Sequence, residues 1–235
     1  LRISMGASDL DAAVFDFWSV VVHQPDEILK LLRDTPINME QWLYWREVLR
    51  GNVETDQVHR GFATLFMNRT NRSGILKAGV IGGLSQAGTY KLDARFNKEV
   101  IAKRIEQIAL RASQITVHSE DALALLKNCH KFLPLNSLIY LDPPYYEKGQ
   151  GLYRNFYEHQ DHQKIAKMLF STQFRRPWLV SYDNVDQIRE MYRYAEERTY
   201  GLNYTAQTRY VGSEVMFFSD RLKVPKMADS VGACA

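Results

Sequence analysis

The sequence predicts an α/β fold with a largely parallel sheet, on three observations. Its 235 residues are 46% hydrophobic and 24% charged, the balance of a globular protein with a core of its own. Apolar residues recur at helical spacing through the first half of the chain. From Ile115 onward, short β-branched or apolar runs alternate with helical stretches, the rhythm of strands joined by crossover helices.

Leu10, Ala13, Val14, Phe17, Trp18 and Val21 fall at i, i+3, i+4, i+7, i+8 and i+11, so one apolar stripe places a helix just after Asp9. Pro25 ends it. A second helix is expected over 26–33, and aromatic-rich helical patterns follow at 39–49 and 57–67. Ile101, Ile105 and Ile108 mark a further amphipathic helix. The β-branched run 115–118 reads as a strand, 122–127 as a helix, and 137–141 as an apolar strand that stops at Asp142-Pro143-Pro144. A helix near 162–170, a strand at 178–182, a helix at 185–193 and a closing strand at 214–218 complete the alternation. Residues 226–235 are small and polar, as in a flexible tail.

Composition narrows the function classes. Thirty Lys and Arg against 27 Asp and Glu give a net charge of +3, which excludes a histone-like polycation. Two cysteines, Cys129 and Cys234, cannot build a disulfide framework and fit a reducing compartment. No apolar run approaches the roughly 18 residues of a membrane span, and no charged-then-apolar leader opens the chain. The cytoplasm is the expected location, with no membrane partner.

Charge is concentrated locally. Between Asn68 and Lys98, Arg69, Arg72, Lys77, Lys91, Arg95 and Lys98 face a single acid, Asp93, a balance of +5 that leaves −2 for the rest of the chain. Gly74, Gly79, Gly82, Gly83 and Gly88 share the stretch, which reads as a flexible basic loop region suited to a polyanion.

The sharpest feature is Asp142-Pro143-Pro144-Tyr145 at the carboxyl end of the apolar strand, the edge where α/β sheets bind ligands. Two prolines fix φ and delete backbone donors, leaving a rigid, acceptor-only corner. An Asp142 carboxylate and the Pro143 carbonyl can both accept from one NH2 group, while Tyr145 can stack on a planar base. A nucleobase amine is a poor nucleophile because its lone pair is delocalised into the ring. Gripping both N–H bonds encourages the nitrogen toward a tetrahedral form and aims the lone pair at an electrophilic methyl, so catalysis rests on positioning and electrostatics. The base must leave the helix first.

These residues resemble the Dam-like, Asp-Pro-Pro-Tyr subgroup of adenine-specific DNA methyltransferases. The resemblance covers most of the chain. Ser8-Asp9-Leu10-Asp11 is similar to the acidic turn after the family's second strand, Asn68-Arg69-Thr70-Asn71-Arg72-Ser73-Gly74 to the start of its target-recognition segment, and His118-Ser119-Glu120-Asp121-Ala122 to its adenosine-contacting motif. Ser181-Tyr182-Asp183-Asn184 and Ser213-Glu214-Val215 resemble later strand ends. The resemblance implies a Rossmann-like S-adenosylmethionine-dependent fold with a mostly helical recognition insertion. It implies methyl transfer from S-adenosylmethionine to a flipped adenine in double-stranded DNA. Asp142, Pro143, Pro144 and Tyr145 are then catalytic; Asp9, Leu10, Asp121, Ala122 and Asp142 are cofactor-binding; and Asn68, Arg69, Asn71, Arg72, Ser73 and Lys77 contact DNA. The implied organisation is 1–35 as the first part of the methyltransferase domain, 36–112 as the recognition insertion, 113–225 as the catalytic part and 226–235 as the tail.

Several residues admit a second reading. Asp9 and Asp121 each precede an apolar helix and suit an N-cap as well as a cofactor ligand. The basic stretch suits a solvated loop as well as phosphate clamping or base reading. Tyr153, Phe156 and Tyr157 suit a base pocket or packing on the sheet. His159 and His162 lack companion ligands at metal spacing, so they are expected to be solvated and no metal is implied. A nucleotide-type site normally opens with a glycine turn about 20 residues before its acid; only eight residues precede Asp9. The expectation is therefore an N-terminally incomplete fold: a fragment, a remnant, or a chain completed by another polypeptide, with a catalytically inactive DNA-binding fragment as the alternative function. Methylation of RNA or of a protein amide is disfavoured because Asp, not Asn, opens the motif.

Overall fold

A computed structural model describes residues 5–9, 11–147, 157–204 and 210–225. The chain divides into two compact units, Leu1–Leu125 and Leu126–Ala235. Leu10, Tyr153, Phe156 and the tail lie outside the described residues.

In the first unit, strand β1 (Met5–Ser8) pairs in parallel with β2 (Ile115–His118), Met5 opposite Ile115. Between them run α1 (Ala12–His23), α2 (Pro25–Asp34), α3 (Met39–Arg50), α4 (Gln57–Thr70) and α5 (Lys98–Ala109). The helices start where the sequence supplies caps: Asp11, Asn38, Asp56 and Asn97 each accept from a backbone N–H of the first turn. Pro25 sits at the first turn of α2, where its missing donor costs nothing. Ile28, Leu32, Trp45, Phe62 and Phe66 fill the core, which also takes Val80, Leu92 and Phe96 from the glycine-rich stretch. At Gly61 a Cβ would stand 3.0 Å from the Asp16 carbonyl, so glycine permits the close approach of α1 and α4. The buried Asp16 carboxylate is held there by Arg60 Nε at 2.8 Å and Gln57 Nε2 at 2.9 Å.

The glycine-rich stretch is a loop of successive turns, tied down at one end by backbone pairing. Asn71 bridges to Val80, the Arg72 N–H donates to the Gly79 carbonyl at 3.0 Å, and the Ile81 N–H to Thr70 at 2.9 Å. Buried apolar anchors and backbone pairing override the local glycine content.

Helix α6 (Ala122–Asn128) spans the boundary between the units. The second unit then forms β3 (Ile139–Leu141), α7 (His159–Leu169), β4 (Trp178–Asp183), α8 (Asp186–Met191), β5 (Glu196–Tyr204) and β6 (Tyr210–Phe218). The sheet order is β3-β4-β6-β5; β3 and β4 are parallel, and the two ladders of β6 are antiparallel. The expectation of a largely parallel sheet is thereby corrected to a mixed one. Only 205–209 separate β5 from β6, too few residues for a parallel crossover. Val180, Tyr182, Ile188, Tyr192 and Phe217 form the buried centre of this unit. Two strands escaped the sequence pattern. β1 is four small or unbranched residues, and β5 opens Glu196-Glu197-Arg198, a polar start that masks an edge strand.

Candidate active site

The parallel register sets Leu141 opposite Val180, so Asp142 leaves β3 beside Ser181. The buried Ser181 Oγ donates to Asp142 Oδ1 at 2.7 Å and lies 3.0 Å from the Tyr140 hydroxyl. Asp142 itself is exposed, Pro143 is buried, and Pro144 and Tyr145 are half-buried. The exposed Asp142 thus stands at a corner that the prolines stiffen, with one carboxylate oxygen tied to the sheet through Ser181.

Two more carboxylates secure the same corner. Asp183, buried at the end of β4, accepts from the backbone N–H of Tyr146 at 2.8 Å and of Glu147 at 2.9 Å. Glu214 accepts from the Tyr145 hydroxyl with one oxygen and from the Tyr200 hydroxyl at 2.6 Å with the other. These partners share one row of the sheet, Asp183 opposite Glu214 and Glu214 opposite Tyr200. Burial, reinforced by the bond to Glu214, pushes the Tyr200 hydroxyl above its ordinary range and keeps it a donor. The motif is thus held at its carboxylate, its ring tip and its following backbone. Charge-assisted bonds of this kind are roughly twice as strong as neutral ones.

Beneath Tyr146 lies an aromatic cluster. His162, 0% exposed, packs on Tyr146, Tyr157 and Tyr182, and its Nδ1 lies 3.0 Å from the Tyr182 hydroxyl. The expectation of a solvated His162 is corrected: it shares one face of α7 with Ile165, Ala166 and Leu169, all buried. Burial holds its pKa below the ordinary value, against the raising influence of Asp183 and Asp161. His159 is exposed, with Nδ1 2.8 Å from the Tyr146 hydroxyl.

In the first unit, Asp9 and Asp121 follow the carboxyl ends of the neighbouring parallel strands β1 and β2. The Asp9 N–H donates to the His118 carbonyl at 3.2 Å, and its Oδ1 accepts from the Asp11 N–H at 2.8 Å. Asp11, not Asp9, caps α1. Burial pushes the Asp9 carboxyl upward, the Asp11 N–H opposes that shift, and the Asp11 charge adds to it. Asp121 does act as a cap, accepting from the N–H of Leu123 at 2.9 Å and Ala124 at 3.2 Å, with Ala122 as the first residue of α6.

The DNA-contact candidates separate by burial. Asn71 is 0% exposed: its Oδ1 accepts from the Trp42 indole N–H at 2.8 Å, and its Nδ2 donates to the Ile75 carbonyl at 3.2 Å and the Leu76 carbonyl at 3.0 Å. A base-reading Asn71 is replaced by a structural one, because its amide is already engaged on both sides. Asn68 is half-buried and donates to the Gly74 carbonyl at 2.9 Å. Arg72, Ser73 and Lys77 are exposed, Ser73 at a positive φ of 56°. Arg69 is half-buried, and its Nε has no hydrogen-bond partner among the described residues. Burial lowers its pKa, and the charges of Arg95 and Arg104 lower it further. Arg104 escaped sequence reading because it lies on an amphipathic helix. Ser181 and Glu214 were legible only as strand ends, and Tyr140 and Tyr200 carried no signal at all.

No helix among the described residues is long and apolar enough to cross a membrane. Comparison with curated proteins gives no match. A family model described as D12 class N6 adenine-specific DNA methyltransferase matches residues 4–205, a span that includes the acidic turn, the basic stretch, the Asp-Pro-Pro-Tyr corner and most of the row behind it. The chain therefore belongs to the D12 class N6 adenine-specific DNA methyltransferase family, which methylates adenine in DNA with S-adenosylmethionine as methyl donor.

Proposed function

We propose that the corner at 142–145 receives an adenine rotated out of duplex DNA and presents its amine for methylation. The observation that carries this reading is the exposed Asp142, whose carboxylate is anchored through Oδ1 by Ser181. With one oxygen held, Asp142 and the Pro143 carbonyl accept the two amine N–H bonds at fixed positions, which favours a tetrahedral nitrogen. Tyr145, its hydroxyl held by Glu214, stacks its ring on the base. Nothing in this scheme requires a nucleophilic side chain.

S-adenosylmethionine supplies a methyl group activated on a positively charged sulfonium. Asp9 and Asp121 fit such a ligand by donor chemistry: two carboxylates at adjacent strand ends accept from hydroxyl and amine groups. In this reading Asp9, Leu10, Asp121, Ala122 and Asp142 bind the cofactor, and Asp142 also holds the adenine amine. We assign a Rossmann-like methyltransferase core to 1–35 and 113–225, with 36–112 as the target-recognition insertion and 226–235 as a tail. Arg69, Arg72 and Lys77 grip backbone phosphates, with Arg95 and Arg104 strengthening the field around Arg69. Asn68 shapes the turn that carries them, and Ser73 offers a hydroxyl to the backbone.

Transfer of a labelled methyl group to duplex DNA, RNA and protein in parallel tests the proposal. Duplex DNA alone is expected to be labelled. Asp142→Ala is expected to lower kcat about a hundredfold or more with DNA affinity retained. An unchanged rate in that variant, or labelling of RNA or protein alone, refutes it.

A further inference from the structure

Glu214 is a buried charge on a strand whose core-facing side chains are apolar. On β6 its neighbours Val215 and Phe217 are 0% exposed on one face, and Glu214 stands on the other, 5% exposed. A carboxylate taken out of water costs free energy unless its oxygens are hydrogen-bonded. Both are: one accepts from the Tyr145 hydroxyl, the other from the Tyr200 hydroxyl at 2.6 Å. Tyr200 lies directly opposite Glu214 on β5, so strand register delivers its hydroxyl.

What this tether fixes is the Tyr145 ring. The phenol oxygen lies on the long axis of the ring, so a ring held there can turn about that axis but cannot swing away from it. The other end of the side chain leaves a backbone stiffened by Pro143 and Pro144. Tyr145 is therefore pinned at both ends. The carboxylate that holds it cannot pivot either, because Tyr200 occupies its second oxygen. Burial pushes the Tyr200 hydroxyl above its ordinary range and keeps it a donor, and Glu214, Tyr140 and Asp142 add to that shift, which places this hydroxyl within electrostatic reach of the amine-gripping carboxylate. Phenylalanine offers the same stacking face as tyrosine, so the Tyr145 hydroxyl adds the tether and nothing to the stack.

We infer that Glu214 is a positioning residue for methyl transfer, acting through the Tyr145 hydroxyl to hold that ring in the direction on which a rotated adenine stacks. This rests on the reading of the 142–145 corner as the adenine site and deepens it, giving a part in the reaction to the end of a strand far along the chain. A ring fixed in advance loses no freedom when the base arrives. A base seated in one direction brings its amine to Asp142 and the Pro143 carbonyl in one geometry. Because the tether orders the reacting pose and not the grip on the duplex, its loss lowers kcat and leaves KM for DNA nearly unchanged.

Labelled methyl transfer from S-adenosylmethionine to unmethylated duplex DNA, with the full chain, tests this. Tyr145→Phe keeps the ring and removes the tether; it is expected to lower kcat about tenfold, with KM for DNA within about twofold of wild type. Glu214→Ala is expected to lower kcat to the same degree. In the Tyr145→Phe background it is expected to lower kcat by less than about twofold more, since the path through the hydroxyl is already cut. Glu214→Gln can accept from one hydroxyl and donate to the other, and is expected to keep kcat within about threefold of wild type. A merely structural Glu214 gives losses that multiply in the double variant, and that outcome overturns the inference. So does a kcat for Tyr145→Phe within about twofold of wild type, a measurement that decides by itself if Glu214→Ala does not fold. A wild type that labels DNA while Tyr145→Phe keeps its rate leaves the methyltransferase reading standing and removes this inference alone; a wild type that labels no duplex DNA removes both.

Discussion

Asn71→Leu separates a structural asparagine from a DNA-reading one. The substitution keeps the heavy-atom count and branching of the side chain but removes one acceptor and two donated bonds. The Trp42 indole N–H, buried at the centre of the helical core, loses its partner at 2.8 Å, and the Ile75 and Leu76 carbonyls lose theirs. An orphaned buried donor costs about 1–3 kcal/mol, and each partly buried carbonyl adds roughly 1 kcal/mol. The expected destabilisation is about 3–5 kcal/mol, a large share of the roughly 5–15 kcal/mol that holds a domain folded. Urea denaturation followed by tryptophan fluorescence reads this directly, since Trp18, Trp42 and Trp45 all lie in the first unit. At a slope of about 2 kcal/mol per M the midpoint falls by roughly 2 M. Arg72→Gln, on an exposed neighbour, is the contrast: stability within about 0.5 kcal/mol of wild type, and a DNA-binding salt slope reduced by about one. A loss of stability below about 0.5 kcal/mol for Asn71→Leu, accompanied by a specific loss of DNA affinity, would refute the structural assignment.

Ser181→Ala removes the donor that orients Asp142; kcat is expected to fall about tenfold with KM for DNA nearly unchanged and partial rescue by Ser181→Thr, and an unchanged kcat would show that the bond does not position the carboxylate. His162 is buried neutral, with its folded pKa below the unfolded value. The unfolded chain therefore takes up the proton first as pH falls through about 6.5, so the stability from this residue is complete above that pH and erodes below it, with a slope of at most about 1.4 kcal/mol per pH unit. Thermal melts at a series of pH values should show a steeper acid-side loss for wild type than for His162→Gln, and equal slopes would refute the assignment.

The local grammar of the helices was legible in the sequence because caps, proline and apolar periodicity act within a few residues of one another. Asp56 and Asn38 cap helices whose stripes the spacing already showed, and the helix expected at 57–67 is observed at Gln57–Thr70. The Asp-Pro-Pro-Tyr corner was legible for the same reason, since proline restricts its own backbone wherever it stands. His162 misled because its exposure depends on which face of α7 the core accepts, and that face is chosen by Ile165, Ala166 and Leu169 together.

Sequence alone determined the chemistry on offer: an acceptor-only turn, two acids at strand ends and a cationic stretch rich in glycine. Tertiary structure decided which side chains are available to use it. It spent Asn71 on Trp42, anchored Asp142 through Ser181, and set Asp183, Glu214 and Tyr200 in one row behind the corner. Those choices depend on strand register and burial, which join residues as far as 69 positions apart; no local pattern encodes them, because the cost of leaving a polar group unpaired is set only when the chain has closed around it.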